Sequence, residues 1–238
     1  MSVVVEPPPP PPPPPSASEP SFDFVKPLTF VFDDPRWVQK VLIGGLFVIA
    51  SFVIIGAFFL YGYLARLTRN TISGMQHPLP EWDDIGEYFG EGAKLFVIGL
   101  IYAVPIAIVA AVVFIPLAIM GNSSDNETIR SMAGMSVTCA WCLIFPLGLA
   151  LALWMPAALL MVIVSGDFKE AFEFGRIFRF IRANIGNYIL AFIVWLVARF
   201  AAGMGVLLLC VGIVFTMFWA FTVAAYAFGQ TYRLAKVK

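Results

Sequence analysis

LFVIGLIYAVPIAIVAAVVFIPLAI, residues Leu95–Ile119, contains no charged side chain. As a helix rising about 1.5 Å per residue, it outruns a hydrocarbon core roughly 30 Å thick. A cylinder apolar on every face has no use for water as its solvent, so its surroundings are lipid. The same reading extends outward. Upstream, Val38–Tyr63 is a comparable block, entered through Asp34-Pro35-Arg36-Trp37, where Asp34 suits a helix cap and Pro35 the first turn. Trp37 and Lys40 then fall where interfacial anchors belong. Downstream, a polar loop from Gly121 to Ser131 leads to Val137–Val164, and further spans follow over residues 187–203 and 206–228. The expected fold is an all-α integral membrane helical bundle of about five transmembrane helices.

Composition agrees. Hydrophobic residues make up 60% of the 238, charged residues 13%, and the mean hydropathy is +0.87. A soluble domain is roughly 45–50% apolar and about 25% charged, because its surface must be wetted. The formal net charge of zero removes the basic field that nucleic acid would need. With one histidine and three cysteines, a multi-ligand zinc site is not expected, and no cofactor is implied. Met1 to Glu6 has no basic region ahead of an apolar one, so no cleavable signal peptide is expected.

Residues 1–24 read as a disordered proline-rich tail ahead of a membrane domain over 25–238. Pro7 to Pro15 is unbroken proline, which sets a polyproline II rod about 28 Å long. It reads as a stiff spacer, with a polyproline-binding partner as the functional alternative. Two amphipathic helices are expected, over about 80–94 and 167–183. In the first, Trp82, Ile85, Phe89, Ala93 and Phe96 share one face, while Asp84, Glu87, Glu91 and Lys94 share a solvated one. In the second, phenylalanines interleave with Lys169, Arg176, Arg179 and Arg182, the pattern of a helix lying against anionic headgroups.

Lysine and arginine set the orientation. With five spans, one side carries Lys26, Arg36, Lys40 and Arg130. The other carries Arg66, Arg69, Lys94, Lys169, Arg176, Arg179, Arg182, Arg233, Lys236 and Lys238. That imbalance places the N-terminus outside and the C-terminus in the cytoplasm.

Several motifs recur at the borders of these spans. They are Gly62-Tyr63 with Arg66; Leu79-Pro80-Glu81-Trp82-Asp83-Asp84; Gly92; Ile101-Tyr102-Ala103-Val104-Pro105; and the closing Phe228-Gly229-Gln230-Thr231-Tyr232-Arg233. On these residues the chain resembles the family called domain of unknown function 4013, over roughly residues 25 to 236. The resemblance implies a prokaryotic multi-span protein of the cell membrane with no assigned activity. It supplies no catalytic residue. Tyr61-Gly62-x-x-x-Arg66-Leu67 also echoes Phe228-Gly229-x-x-x-Arg233-Leu234 within the chain.

Candidate sites are few. Arg199 is a basic residue deep in an apolar span, either a functional charge or a snorkelling anchor. Cys139 and Cys142 form a C-x-x-C whose apolar surroundings offer no cation to lower a thiol pKa. Pro105, Pro116, Pro146 and Pro156 are expected to kink two spans, as transporters use. Gly44, Gly45, Gly56, Ala107, Ala110 and Ala111 are expected at helix contacts. His77 has no partner near it in sequence. No reaction emerges from these residues. The reading is a non-enzymatic scaffold or accessory subunit, partnered by the lipid bilayer and other membrane proteins. A small transporter or channel component and a membrane thiol redox protein are the alternatives.

Overall fold

A computed structural model of the chain describes residues 21–123, 127–207 and 212–235. The proline run, Cys210, Lys236 and Lys238 lie outside the described residues. A short helix α1 (Lys26–Thr29) passes into a 3-10 turn (Phe30–Asp33) and then α2 (Trp37–Ala50). A 3-10 turn at Ser51–Val53 separates α2 from α3 (Ile55–Ile72). The long helices α4 (Ile85–Ser123) and α5 (Glu127–Ser165) follow. A 3-10 turn (Phe168–Phe172), α6 (Phe174–Ala183), α7 (Ile185–Gly203) and α8 (Gly212–Leu234) complete the fold. No strand is found among the described residues.

Among the described residues, four stretches are long and apolar enough to cross a membrane, Ile85–Met120, Gly134–Ser165, Ile185–Leu207 and Gly212–Leu234, and the bent pair Lys26–Asp33 with Trp37–Val53 would be a fifth if it forms one span. Three of the four contain the spans expected at 95–119, 137–164 and 187–203, the fourth overlaps the one expected at 206–228, and the protein is an all-α membrane bundle. Helix α4 absorbs both the expected amphipathic helix and the span behind it. Helices α4 and α5 run unbroken through Pro105, Pro116, Pro146 and Pro156. The polar loop expected over Gly121–Ser131 is largely helix, since α4 reaches Ser123 and α5 starts at Glu127.

The first expected span is not one span. Its chain folds back at Ser51–Ile54 into an α2–α3 hairpin. Phe47 and Phe59 have ring centroids 5.0 Å apart, and twelve residues of straight helix would separate them by about 18 Å. Lys40 and Tyr63 likewise converge on one loop, at the Leu79 and Pro80 carbonyls. Glycine makes the return possible, because Gly56 lies directly against the backbone of Phe47 and Ala50. Ile54 turns the corner at φ 66°, a conformation that β-branched residues rarely adopt. Phe52, 88% exposed, tips the hairpin.

Helix α8 packs between α2, α3 and α7. Gly44 and Gly45 of α2 receive the Phe218 and Phe215 rings. Tyr63 meets Phe218, and Thr68 meets Ala225, so α3 and α8 run parallel. Thr216 donates to the Ala202 carbonyl and Thr231 to the Asn187 carbonyl, so α7 and α8 are antiparallel. Ala107 and Ala111 face outward, so that part of the expected small-residue packing is not made.

These pairings put the first and the last described residues at one end of the bundle. Phe30 stacks on Tyr226 with centroids 4.4 Å apart, and the Gln230 amide, correctly oriented, exchanges hydrogen bonds with the Asp23 backbone. The sequence led instead to opposite sides for the two ends, on the premise of a single straight first span that the α2–α3 hairpin replaces. Helix α5 lies across this same end. Its Leu153 carbonyl accepts from Tyr188 in the first turns of α7, and ten residues on, its Ile163 carbonyl accepts from Arg69 near the end of α3.

Candidate functional site

The residues singled out between Gly62 and Asp84 converge on the mouth of the α2–α3 hairpin. Lys40, expected at the membrane interface, is instead buried, with a side chain 4% exposed. Its ammonium donates to Asp34 at 2.6 Å and to the Leu79 carbonyl at 3.0 Å, and forms an ion pair with Glu81 at 2.7 Å. Two hydrogen bonds and two carboxylates thus surround the charge. Asp34 also accepts from the Arg36 backbone N–H, and Arg36 pairs with Glu81 at 2.7 Å.

Burial pushes the Asp34 carboxyl upward, but the hydrogen bonds from Lys40 and the Arg36 backbone outweigh it and hold its pKa below the ordinary carboxylate value. A depressed carboxylate contributes stability that is full above its unfolded value, near 4, and lost as pH falls through the native one. The thermal midpoint in detergent should therefore stay flat as this pair is carried down to about pH 4, and decline below it. A decline already complete at pH 6 would contradict this assignment.

Leu79-Pro80-Glu81-Trp82 forms a plug rather than the first turn of a helix. Helix α4 begins at Ile85 because Trp82 leaves the helical path to enter the hairpin. Its ring stacks on Tyr63 at 4.1 Å and on Phe47 at 4.8 Å, and its indole donates to the Lys40 carbonyl at 3.1 Å. Tyr63 donates to the Pro80 carbonyl at 3.1 Å, and Tyr88 to the Glu81 carbonyl at 2.5 Å.

The acidic face of α4 is paired. Arg66 meets Glu87 at 2.9 Å and Asp84 at 3.8 Å, and Arg69 meets Glu91. Asp83 is exposed. The close approach comes from Gly62 and Gly92, each of which touches backbone of the other helix. The echo of Gly62 in Gly229 has a similar use, since Gly229 rests on Thr68 and Thr71 of α3. Arg233 is exposed at the end of α8. Tyr102 donates to the Ala171 carbonyl, accepts from Trp154 at 3.2 Å and stacks on Phe172, tying the turn before α6 to the α4–α5 hairpin. Pro105, three residues on, is exposed within α4.

The remaining candidates are not gathered with these. Arg199 lies one turn before the far end of α7, half-buried, with Nη1 2.6 Å from the Met217 sulfur. Cys139 and Cys142 are free and exposed on α5. Arg176 pairs with Glu170, while Lys169, Arg179 and Arg182 are exposed beside the exposed rings of Phe174 and Phe178. Ile177, on the face of α6 turned away from Arg179 and Arg182, is fully buried. His77 is exposed, and among the described residues no group of three His, Cys, Asp or Glu side chains is placed to hold a metal.

Sequence reasoning missed the lock around Lys40 and a cavity beneath α5. The first had a signal in the Asp34-to-Lys40 spacing; the second had none. Compared with known families, residues 45–211 match the model described as Protein of unknown function (DUF4013). No curated protein and no solved structure matches the chain.

Proposed function

The chain belongs to the DUF4013 family, which brings no activity with it, and we propose that it is a non-enzymatic accessory subunit or scaffold of the cell membrane. One observation carries this reading. At the end where Phe30 meets Tyr226, the charged groups fixed by the fold are spent on one another. Lys40 with Asp34 and Glu81, Arg66 with Glu87, and Arg69 with Glu91 each tie one segment to another. Such pairing suits a rigid platform rather than a reaction centre, which needs a group held ready for substrate.

The same end is cytoplasmic in this reading. Lys26, Arg36, Lys40, Arg66, Arg69, Arg176, Arg179, Arg182 and Arg233 all belong to it, whereas Arg130 and Arg199 belong to the opposite ends of their helices. A bias of that size favours the cytoplasmic side. Arg179 and Arg182, with Phe174 and Phe178, then seat α6 among anionic headgroups. A transport reading has one supporting feature, the presence of Pro156 in the wall of the cavity beneath α5.

Reporter fusions ahead of Ser21 and after Ala235 should both report the cytoplasm, and an insertion between Ser123 and Glu127 the opposite side. Purification in mild detergent from native membranes, followed by native mass spectrometry, should return a stoichiometric complex. A monodisperse lone chain that moves solute across proteoliposomes would replace the accessory reading with the transport one.

A further inference from the structure

A cavity of about 350 Å³ lies beneath α5, where that helix passes over α7, α8 and α3. This is the size of a small-ligand site. Met155, Leu159, Phe192 and Phe221 are typical of its wall, and no charged side chain contributes to it. An ion or a sugar would find almost nothing to coordinate, and an apolar cavity does not hold water well. Two groups depart from the pattern. The hydroxyl of Tyr61 and the indole N–H of Trp195 belong to wall residues, yet neither hydrogen-bonds to another described residue. Neither is sealed inside the protein, unlike the buried and unpartnered Trp219 indole. Thr68, the other polar wall residue, is already committed through its hydroxyl to the Leu64 carbonyl at 2.8 Å.

The cavity thus offers a long apolar surface with no charge, and two of its wall residues carry a donor that no other described residue takes up. That combination fits an acyl chain ending in an ester or carboxyl oxygen, the chemistry that surrounds a membrane helix in greatest excess. A donor left bare in lipid is costly, and an acyl carbonyl is the acceptor the bilayer supplies. We propose that the cavity beneath α5 binds one acyl chain, from a phospholipid or a free fatty acid, with Tyr61 and Trp195 donating to its carbonyl oxygen.

Photo-crosslinking tests this in vesicles containing the full chain. One arm carries a phospholipid with a diazirine in its acyl chain, and the other carries the corresponding free fatty acid. Adducts are mapped by mass spectrometry. Met155, Leu159 and Phe221 should be labelled in at least one arm, and the arm that labels them identifies the source of the chain. Val112 and Ile115, exposed on the outer surface of α4, serve as the control for ordinary lipid contact. Ala224→Phe, which fills the cavity, should reduce the cavity adducts at least five-fold and leave the control adducts unchanged. Tyr61→Phe keeps the ring against Phe96 and should lower the cavity yield several-fold. Cavity adducts no more frequent than the controls, or unmoved by Ala224→Phe, overturn the proposal. Should Ala224→Phe not fold, an unchanged yield in Tyr61→Phe overturns it.

Discussion

Lys40→Met will destabilise the folded protein by about 3–5 kcal/mol, because it strands a buried carboxylate. Asp34 is 5% exposed and has one ammonium partner, at 2.6 Å. Removing that ammonium leaves a charge that low-dielectric surroundings cannot solvate, and it orphans the Leu79 carbonyl at the same time. Methionine matches the length and apolar stem of lysine, so lost packing is a small part of the effect. In a chain of this size the loss corresponds to a drop of roughly 10 °C in the thermal midpoint. The double variant Lys40→Met with Asp34→Asn should recover much of it. Asparagine carries no charge and still accepts from the Arg36 backbone N–H through its side-chain oxygen. Coupling of about 1–3 kcal/mol between the two positions is the expected signature. Additive losses would show that Lys40 matters for its stem rather than for the lock.

That lock also shows where sequence reasoning stops. The crossing helices were legible because hydrocarbon demands long apolar runs; α4, α5 and α7 contain the runs expected, and α8 overlaps the last of them. The α2–α3 hairpin was not legible, because its corner, Ser51-Phe52-Val53-Ile54, holds no glycine, proline, asparagine or aspartate. A turn inside lipid has no reason to be polar, so the usual mark of a turn is missing. Lys40 looked like an anchor because a charge near a helix start normally points to water. Its partners Leu79 and Glu81 lie some forty residues away in sequence, and only the fold-back of the chain brings them together.

The pairing of the acidic face of α4 was hidden for the same reason, although Asp84, Glu87 and Lys94 are exposed as a solvated face requires. Asp84, Glu87 and Glu91 follow helical spacing, and spacing alone cannot distinguish water from the guanidinium groups of Arg66 and Arg69. The segment after α5 was read more closely. Its later half is the amphipathic helix α6, with Ile177 inward and Phe174 and Phe178 outward. Its first half tightened into a 3-10 turn that Tyr102 holds in place. Of the resemblance motifs, Gly62, Tyr63, Trp82, Tyr102 and Gly229 are the contacts that position one segment on another. This accounts for their residue types without assigning them a reaction.

Gly92→Ala is the other substitution with a large expected effect, and its neighbour makes the comparison sharp. A methyl group on Gly92 would overlap the carbonyl oxygen of Phe58, a backbone atom that cannot rotate away. To restore ordinary contact, α3 and α4 must part by on the order of 1–2 Å. That separation loosens Tyr88 from Gly62 and draws Arg66 and Arg69 away from Glu87 and Glu91. A loss of about 3 kcal/mol or more is expected, at the upper end of what overpacking causes. Gly90, two residues earlier on the same helix, has nothing within 4 Å of the same methyl position. There alanine relieves the backbone freedom of an exposed helical glycine and should stabilise by up to about 1 kcal/mol. Opposite shifts in thermal midpoint for Gly92→Ala and Gly90→Ala would show that the contact between α3 and α4 is set at the level of backbone. Equal shifts would mean that the two helices do not approach as closely as Gly62 and Gly92 allow, and the pairing of the acidic face would then lose its structural basis.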